Sequence, residues 1–398
     1  MDNKLLIKGL TIFAENNVIK DGYIKISGNL IKEVGSVMKL DPGSVTGYTE
    51  MEFPKSYSLI PGFIDLHIHG AGGADVMDGT NEALSIMTST LPKEGTTSFL
   101  PTTITQHDDV IEAAIKNVSQ YVKGENNTPG QAEILGVHLE GPFISPKRSG
   151  AQPTDFIDDP DITVFKRWQE QVNDLIKLVT LAPEEDSDHQ LTKYLKRTGV
   201  IASIGHSDAS YNQVEDAIDA GITHVTHLFN QMRGLHHREP GVVGAAFLKE
   251  ELMTELIVDG IHVAPEMVNL SYQQIGKDRL VLITDAMRAK CLKNGMYDLG
   301  GQSVTVQDGK ATLEDGTLAG SVLQMNHAVK NMLSYSETTL GELIQMTSIN
   351  PAKELQLFDR KGSIKRNKDA DLVVLDENFD VVLTICRGQL AYQKKEVL

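Results

Sequence analysis

The segment "GFIDLHIHG", Gly62 to Gly70, decides how this chain folds. Phe63, Ile64, Leu66 and Ile68 supply the bulk of a buried strand, and a glycine stands at each end. Inside it, His67 and His69 stand two apart. Alternate residues of a strand face one side, so both imidazoles point the same way. Two polar rings on a buried strand need partners, because an unpaired polar group in apolar surroundings costs free energy.

Seven further segments share this apolar, β-branched character: "TTSFLPT", "EILGVHLE", "IKLVTLAP", "VIASIGHS", "ITHVTHLFN", "ELIVDGIH" and "LVLITDA". Between most of them lie stretches of helical spacing, such as Asn81–Lys93, Asp108–Val122 and Gln190–Thr198. Near-continuous apolar strands alternating with helices predict a parallel sheet covered by helices. Eight such units lie between Phe63 and Ala286, and a (β/α)8 barrel takes roughly 250 residues. A doubly wound sheet would open on a Gly-rich turn, and no GxGxxG follows an early strand.

The two ends read differently. "LLIKGLTIF", "GYIKISG" and "LIKEVG" are short strands separated by Asn-Asn, Asp-Gly and Gly-Asn, which are hairpin signals. "DADLVVLD", "DVVLTICRG" and "QLAYQKK" repeat the pattern at the C-terminus. The expected fold is therefore α/β. A (β/α)8 barrel over residues 60–354 carries a small discontinuous β-sandwich domain built from residues 1–59 and 355–398.

Composition narrows the function. The chain has 398 residues, 54 acidic against 37 basic, for a net charge of −17. Such a surface repels nucleic acid and anionic membranes, so neither is an expected partner. The two cysteines, Cys291 and Cys386, form no CxxC pattern. With no signal-peptide pattern and no apolar run of membrane-spanning length, the expected location is cytoplasmic.

The strand ends carry the chemistry. The first holds His67 and His69, the third Glu140, the fifth His206, the sixth His227, the seventh Asp259 and His262, and the eighth Asp285. In a (β/α)8 barrel the C-terminal strand ends form the active-site face. Imidazoles and carboxylates then converge on one spot, a donor set suited to a divalent metal such as Zn²⁺ or Fe²⁺. Each residue has a plainer reading, as a hydrogen-bonded core histidine or a helix cap. Six separate strands would then each need an unrelated reason at the same end. His107, His138, His189 and His224 lie outside the set, with structural roles. His138 is expected to point away from Glu140.

These residues resemble the amidohydrolase superfamily, which carries HxH after strand one, a midway metal ligand, His after strands five and six, and Asp after strand eight. "HLEGPF", "GHSDA", "THLFNQM", "REPG", "VDGIH", "TDAM" and "LAGS" are similar to the motifs of the N-acetylglucosamine-6-phosphate deacetylases, along nearly the whole chain. The resemblance implies that Glu140, His206 and His227 hold the main metal and that Asp285 is the catalytic acid/base. It implies that Asn230, Gln231 and His262 meet the sugar phosphate, and that Ala151 and the backbone of Leu318, Ala319 and Gly320 line the sugar pocket. Arg238 is implied to reach the phosphate from the neighbouring subunit of a homodimer. The implied reaction releases acetate and D-glucosamine 6-phosphate from N-acetyl-D-glucosamine 6-phosphate, in amino-sugar catabolism and cell-wall sugar recycling.

Two departures matter. Some members have a non-ligating pair in place of HxH and use one metal; this chain keeps His67 and His69, so one or two metals per subunit are expected, with Glu140 as a bridge. Some members also have a histidine that polarises the substrate carbonyl where this chain has Gln152. A second metal at His67 and His69 would take over that role. The alternatives are a deacetylase for the galactosamine epimer, another metal amidohydrolase acting on a cyclic amide or N-acyl amino acid, and a non-catalytic barrel.

Overall fold

The computed structural model describes residues 4–124 and 126–395; residues 1–3 and 396–398, the outermost parts of the two expected β segments, lie outside the described residues. The eight expected strands are present in order: β1 (Phe63–Ile68), β2 (Thr96–Pro101), β3 (Val137–Glu140), β4 (Ile176–Leu181), β5 (Ile201–Ile204), β6 (His224–Val225), β7 (Met253–Ile257) and β8 (Leu280–Ile283). β1 pairs with β2 in parallel, and β3 to β8 form a six-stranded sheet in chain order. Parallel bridges join Thr102 to His138 and Ile68 to Ala286, so the two runs meet at both sides. At the second seam the Asp285 amide donates to the His67 carbonyl at 2.9 Å. This curled parallel sheet is the frame of the site.

Helices cover its outside, several of them amphipathic, while Gly241–Leu248 is apolar all round and buried over six consecutive residues. Asp108–Lys123 buries Ile111, Ala114, Ile115, Val118 and Tyr121, the spacing of a single stripe, with Asp108 and Asp109 at its positive end. The expected helix over Asn81–Lys93 instead ends at Thr90 and tightens into a 3-10 turn, Leu91–Glu94. Pro92 is the cause, since it lacks an amide hydrogen.

The termini meet as expected. One sheet runs in the order Gln389–Gln393, Val381–Cys386, Leu372–Leu375, Ser58–Pro61, Thr11–Phe13, Val18–Ile19, and so contains strands from both ends. The stretch "LLIKGLTIF" is two strands in two sheets rather than one: Lys4–Lys8 belongs to the other sheet, and the break falls at Gly9. A Cβ on Gly9 would lie 2.5 Å from the Phe53 carbonyl oxygen. Both sheets contribute to one apolar cluster, with Ile7 and Ile24 from one and Leu59, Leu372 and Ile385 from the other.

An ion cluster ties the C-terminal segment to the edge of the parallel sheet. Glu133 takes Lys361 at 2.6 Å and Arg360 at 3.0 Å, while Lys361 also pairs with Asp371. Burial opposes charge on Glu133, but the Lys361 and Arg360 cations outweigh it and hold its pKa down at about 2. A depressed carboxyl stabilises above its unfolded value and loses that contribution as pH falls towards the folded value. Glu133→Gln should therefore lower stability by ~3 kcal/mol at pH 7. Urea unfolding at pH 7, 4 and 3 checks this: the gap between wild type and variant should narrow with acid, and a constant gap would refute the assignment.

A further element was not anticipated. After β8 the chain forms three antiparallel strands, Gly295–Leu299, Gln302–Gln307 and Lys310–Thr312. "GQSVTVQDGKATL" does alternate in the β manner around Asp308-Gly309, both with positive φ, as a primed turn requires. This flap packs Leu299, Val304 and Ala311 against Ile104 and Met287.

Candidate active site

His67 and Glu140 stand within the last residues of β1 and β3, and His69, His206, His227 and Asp285 stand just past their strand ends. His206, His227, Gln231 and Asp285 all have positive φ, between 32° and 49°. For non-glycine residues that conformation costs of order 1–3 kcal/mol each and persists only where the surroundings enforce it. Two glycines make the close approaches. A Cβ on Gly141 would lie 2.1 Å from Thr105 Oγ1, and one on Gly150 would lie 2.6 Å from Gln231 Cγ.

The turns bring the donors together. His227 Nε2 lies 3.0 Å and His206 Nε2 3.3 Å from Glu140 Oε1, and the two nitrogens are 3.2 Å apart. On the other side His69 Nε2 lies 3.3 Å from Glu140 Oε2 and 3.2 Å from Asp285 Oδ1. His67 Nε2 is 3.5 Å from Glu140 Oε1 and 3.5 Å from Asp285 Oδ1. Two groups thus gather within 4.8 Å, Glu140–His206–His227 and His67–His69–Asp285, with Glu140 between them.

The rings are aimed by their far nitrogens. His67 Nδ1 donates to Glu255, His69 Nδ1 to the Thr102 carbonyl at 3.0 Å, and His206 Nδ1 to the Arg148 carbonyl at 2.8 Å. In the neutral form each then presents the Nε2 lone pair to the centre. His67 Nε2 is buried without a hydrogen-bond partner. An orphaned acceptor beside two carboxylates is what a bound cation relieves, so the residues fit a metal. Burial opposes charge at Glu140, but the neighbouring imidazoles outweigh it and hold its carboxyl well below the usual range. Burial likewise opposes charge on His69, yet Asp285 and Glu140 raise its pKa to about 10. A metal would displace that proton, since ligating imidazole is neutral.

The donors open into a cavity of about 250 Å³, towards the small end of ligand pockets. Ala151, Asn230, Gln231, His262, Leu318 and Gly320 line it. His262 Nδ1 donates to Asp259 Oδ2 at 2.6 Å, which fixes the ring. Ala319 does not line the cavity: it is buried under the flap, and its amide donates to the Ala311 carbonyl. Arg238 does not line it within this subunit either; it is exposed, and Nη1 donates to His237 Nε2 at 2.8 Å.

Comparison with known proteins agrees with this geometry. Residues 58–391 match the amidohydrolase family. The chain belongs to that family. The N-acetylglucosamine-6-phosphate deacetylase of Bacillus subtilis (strain 168) is 48% identical over 396 residues, spanning 100% of this chain and 99% of its own. The N-acetylgalactosamine-6-phosphate deacetylase of Escherichia coli O157:H7 is 36% identical over 386 residues, spanning 97% and 99%. A mutant N-acetyl-D-glucosamine-6-phosphate deacetylase from Mycobacterium smegmatis, solved in complex with N-acetyl-D-glucosamine-6-phosphate, matches with a TM-score of 0.90 at 29% identity, over 98% of this chain and 100% of that one. The parallel sheet is accordingly the TIM-barrel-like α/β domain of an amidohydrolase.

In this amidohydrolase the direction expected for His138 needs correction. His138 and Glu140 are two apart on β3, so they share a face. The His138 ring centroid lies 4.5 Å from that of His67, beneath the site. Its structural role stands: Nδ1 donates to the Leu66 carbonyl and Nε2 accepts from Thr180 Oγ1 at 2.7 Å. Burial and the nearby His67 push its pKa down to about 3, so it stays neutral. Gln152 lines the cavity and braces Glu140: its Nε2 donates to Glu140 Oε2 at 2.8 Å and its Oε1 accepts from the Thr105 amide at 2.7 Å. Glu255 escaped notice altogether, although a glutamate inside the apolar run "ELIV" was a signal.

Proposed function

We propose that this chain hydrolyses the acetamide of N-acetyl-D-glucosamine 6-phosphate, releasing acetate and D-glucosamine 6-phosphate. The observation that carries this is the end-to-end 48% identity to the Bacillus subtilis deacetylase, with the donor set gathered at one small cavity. The galactosamine epimer is the second reading, favoured by the Escherichia coli relative at 36% identity. The domain reading that goes with it is a closed (β/α)8 barrel over residues 60–354 and a β-sandwich from residues 1–59 and 355–398.

Glu140, His206 and His227 would hold one divalent ion, and His67 and His69 a second, with Zn²⁺ or Fe²⁺ suited to these ligands. A bound ion supplies Lewis acidity towards a carbonyl and makes water acidic enough to attack. Asp285 takes the proton of the attacking water. Burial opposes its charge, but positive charge beside it, on His67 and His69 or on an ion bound there in place of their protons, outweighs this and lowers its pKa, so it begins as a base. It then delivers the proton to the departing nitrogen, without which an amine leaves poorly. Asn230, Gln231 and His262 orient the sugar phosphate, and Ala151 with Leu318 and Gly320 shapes the sugar subsite. The Ala151 carbonyl is held by Gln302 of the flap at 2.6 Å.

Arg238 acts from the neighbouring subunit of a homodimer in this reading. Its exposed loop supports that, as do the exposed apolar side chains Leu235 (56%) and Leu248 (65%) nearby, which a partner surface would cover. A panel of both epimers, phosphorylated and not, assayed for acetate release with added Zn²⁺ or Fe²⁺, tests the substrate. The glucosamine 6-phosphate derivative should be preferred, and failure to release acetate from any would sink the reading. Arg238→Ala should raise KM for the phosphorylated sugar roughly 10- to 100-fold and leave the unphosphorylated one little changed. Mixing it with Asp285→Asn should restore activity through hybrid dimers, whereas an active monomer by gel filtration would rule the trans role out.

A further inference from the structure

A line of charged side chains runs from the site through the interior of the parallel sheet. His67 Nδ1 donates to Glu255 Oε2 at 3.1 Å, His224 Nε2 donates to Glu255 Oε1 at 3.3 Å, and His224 Nδ1 donates to Glu354 Oε2 at 3.0 Å. His67, Glu255 and His224 are wholly buried. Glu354 keeps 19% of its side-chain exposure and borders a separate cavity with Lys177 and Gly199, at the N-terminal ends of β4 and β5. With both ring nitrogens donating to carboxylates, His224 is an imidazolium lodged between two anions. Glu255 also accepts the His227 amide at 3.2 Å.

We propose that Glu255 is a positioning residue for His67, and that His224 and Glu354 hold it in place. This rests on the two-metal reading above. A neutral imidazole has one N–H; committing it to Glu255 leaves the Nε2 lone pair for the site. His138, whose ring lies 4.5 Å from that of His67, cannot compete, because its own N–H goes to the Leu66 carbonyl. An isolated buried carboxylate would be costly, and the His224 cation offsets that cost. The line therefore has a reason to continue past Glu255 to the far face.

The test is Zn²⁺ titration of the metal-stripped full-length chain against a chromophoric chelator, with thermal melting as the check of fold. Wild type should bind two ions. Glu255→Gln should weaken one site ~10–100-fold and change the other little. Glu354→Gln should act in the same direction with a smaller loss. Equal affinities at both sites in a folded Glu255→Gln protein would overturn the proposal. If that variant does not fold, Glu354→Gln decides: a loss at one site supports the line, and no loss at either overturns it. A single ion in wild type overturns the two-metal reading and this proposal with it. Acetate release from N-acetyl-D-glucosamine 6-phosphate, measured beside it, separates that result from failure of the deacetylase reading.

Discussion

Asp285→Asn should lower kcat by about 10²–10⁴-fold, the usual worth of a positioned acid/base. Metal content should stay near that of the unmodified chain. Asparagine keeps the shape of the side chain, and Glu140, His206 and His227 do not depend on it for their mutual approach. What it loses is the carboxylate oxygen that stands 3.2 Å from His69 Nε2 in a buried, cationic corner. An amide there cannot take a proton from water. Steady-state kinetics beside metal analysis checks both halves. Activity within tenfold of wild type would mean that another group moves the proton, and a large loss of metal would mean that Asp285 is chiefly a ligand.

The His67→Gln, His69→Asn double variant should fall from about two bound metals per chain to about one, with a large loss of kcat. Three observations lead there. His67 Nε2 is buried with no hydrogen-bond partner. Both rings face Glu140 and Asp285 at 3.2 to 3.5 Å. Gln152, at the position where some relatives carry a carbonyl-polarising histidine, has its Oε1 on Thr105 and its Nε2 on Glu140. With that amide committed, the task would fall to a cation held by His67 and His69. Metal analysis of carefully loaded protein decides it. Equal metal content and equal rate in both proteins would leave the histidines as structural.

Much of this was legible from residue order, for reasons of periodicity. A strand alternates faces, so HxH in "FIDLHIH" announced two imidazoles on one side before any fold was known. Parallel strands buried on both faces are apolar throughout, so the eight stood out, and their polar ends marked the site. The same rule, applied to His138 and Glu140, puts both on one face of β3, and the structure shows them there.

What local pattern could not supply was direction and partnership across the chain. Glu255 and His224 are 31 residues apart, and Glu354 lies 130 beyond His224, yet they form one line, because curling the sheet stacks the interior side chains of different strands. Gln152 was placed near the chemistry by its motif, but only the fold showed it turned onto Glu140. The flap after β8 has alternation of its own, and that alternation says nothing of where it packs; Leu299 shares one apolar cluster with Ile104, far away in the chain, and both line the cavity. Periodicity names the face a side chain occupies. Which atom it meets is set by strands brought together from distant parts of the chain, and hydrogen bonds that act over 3 Å depend on that placement.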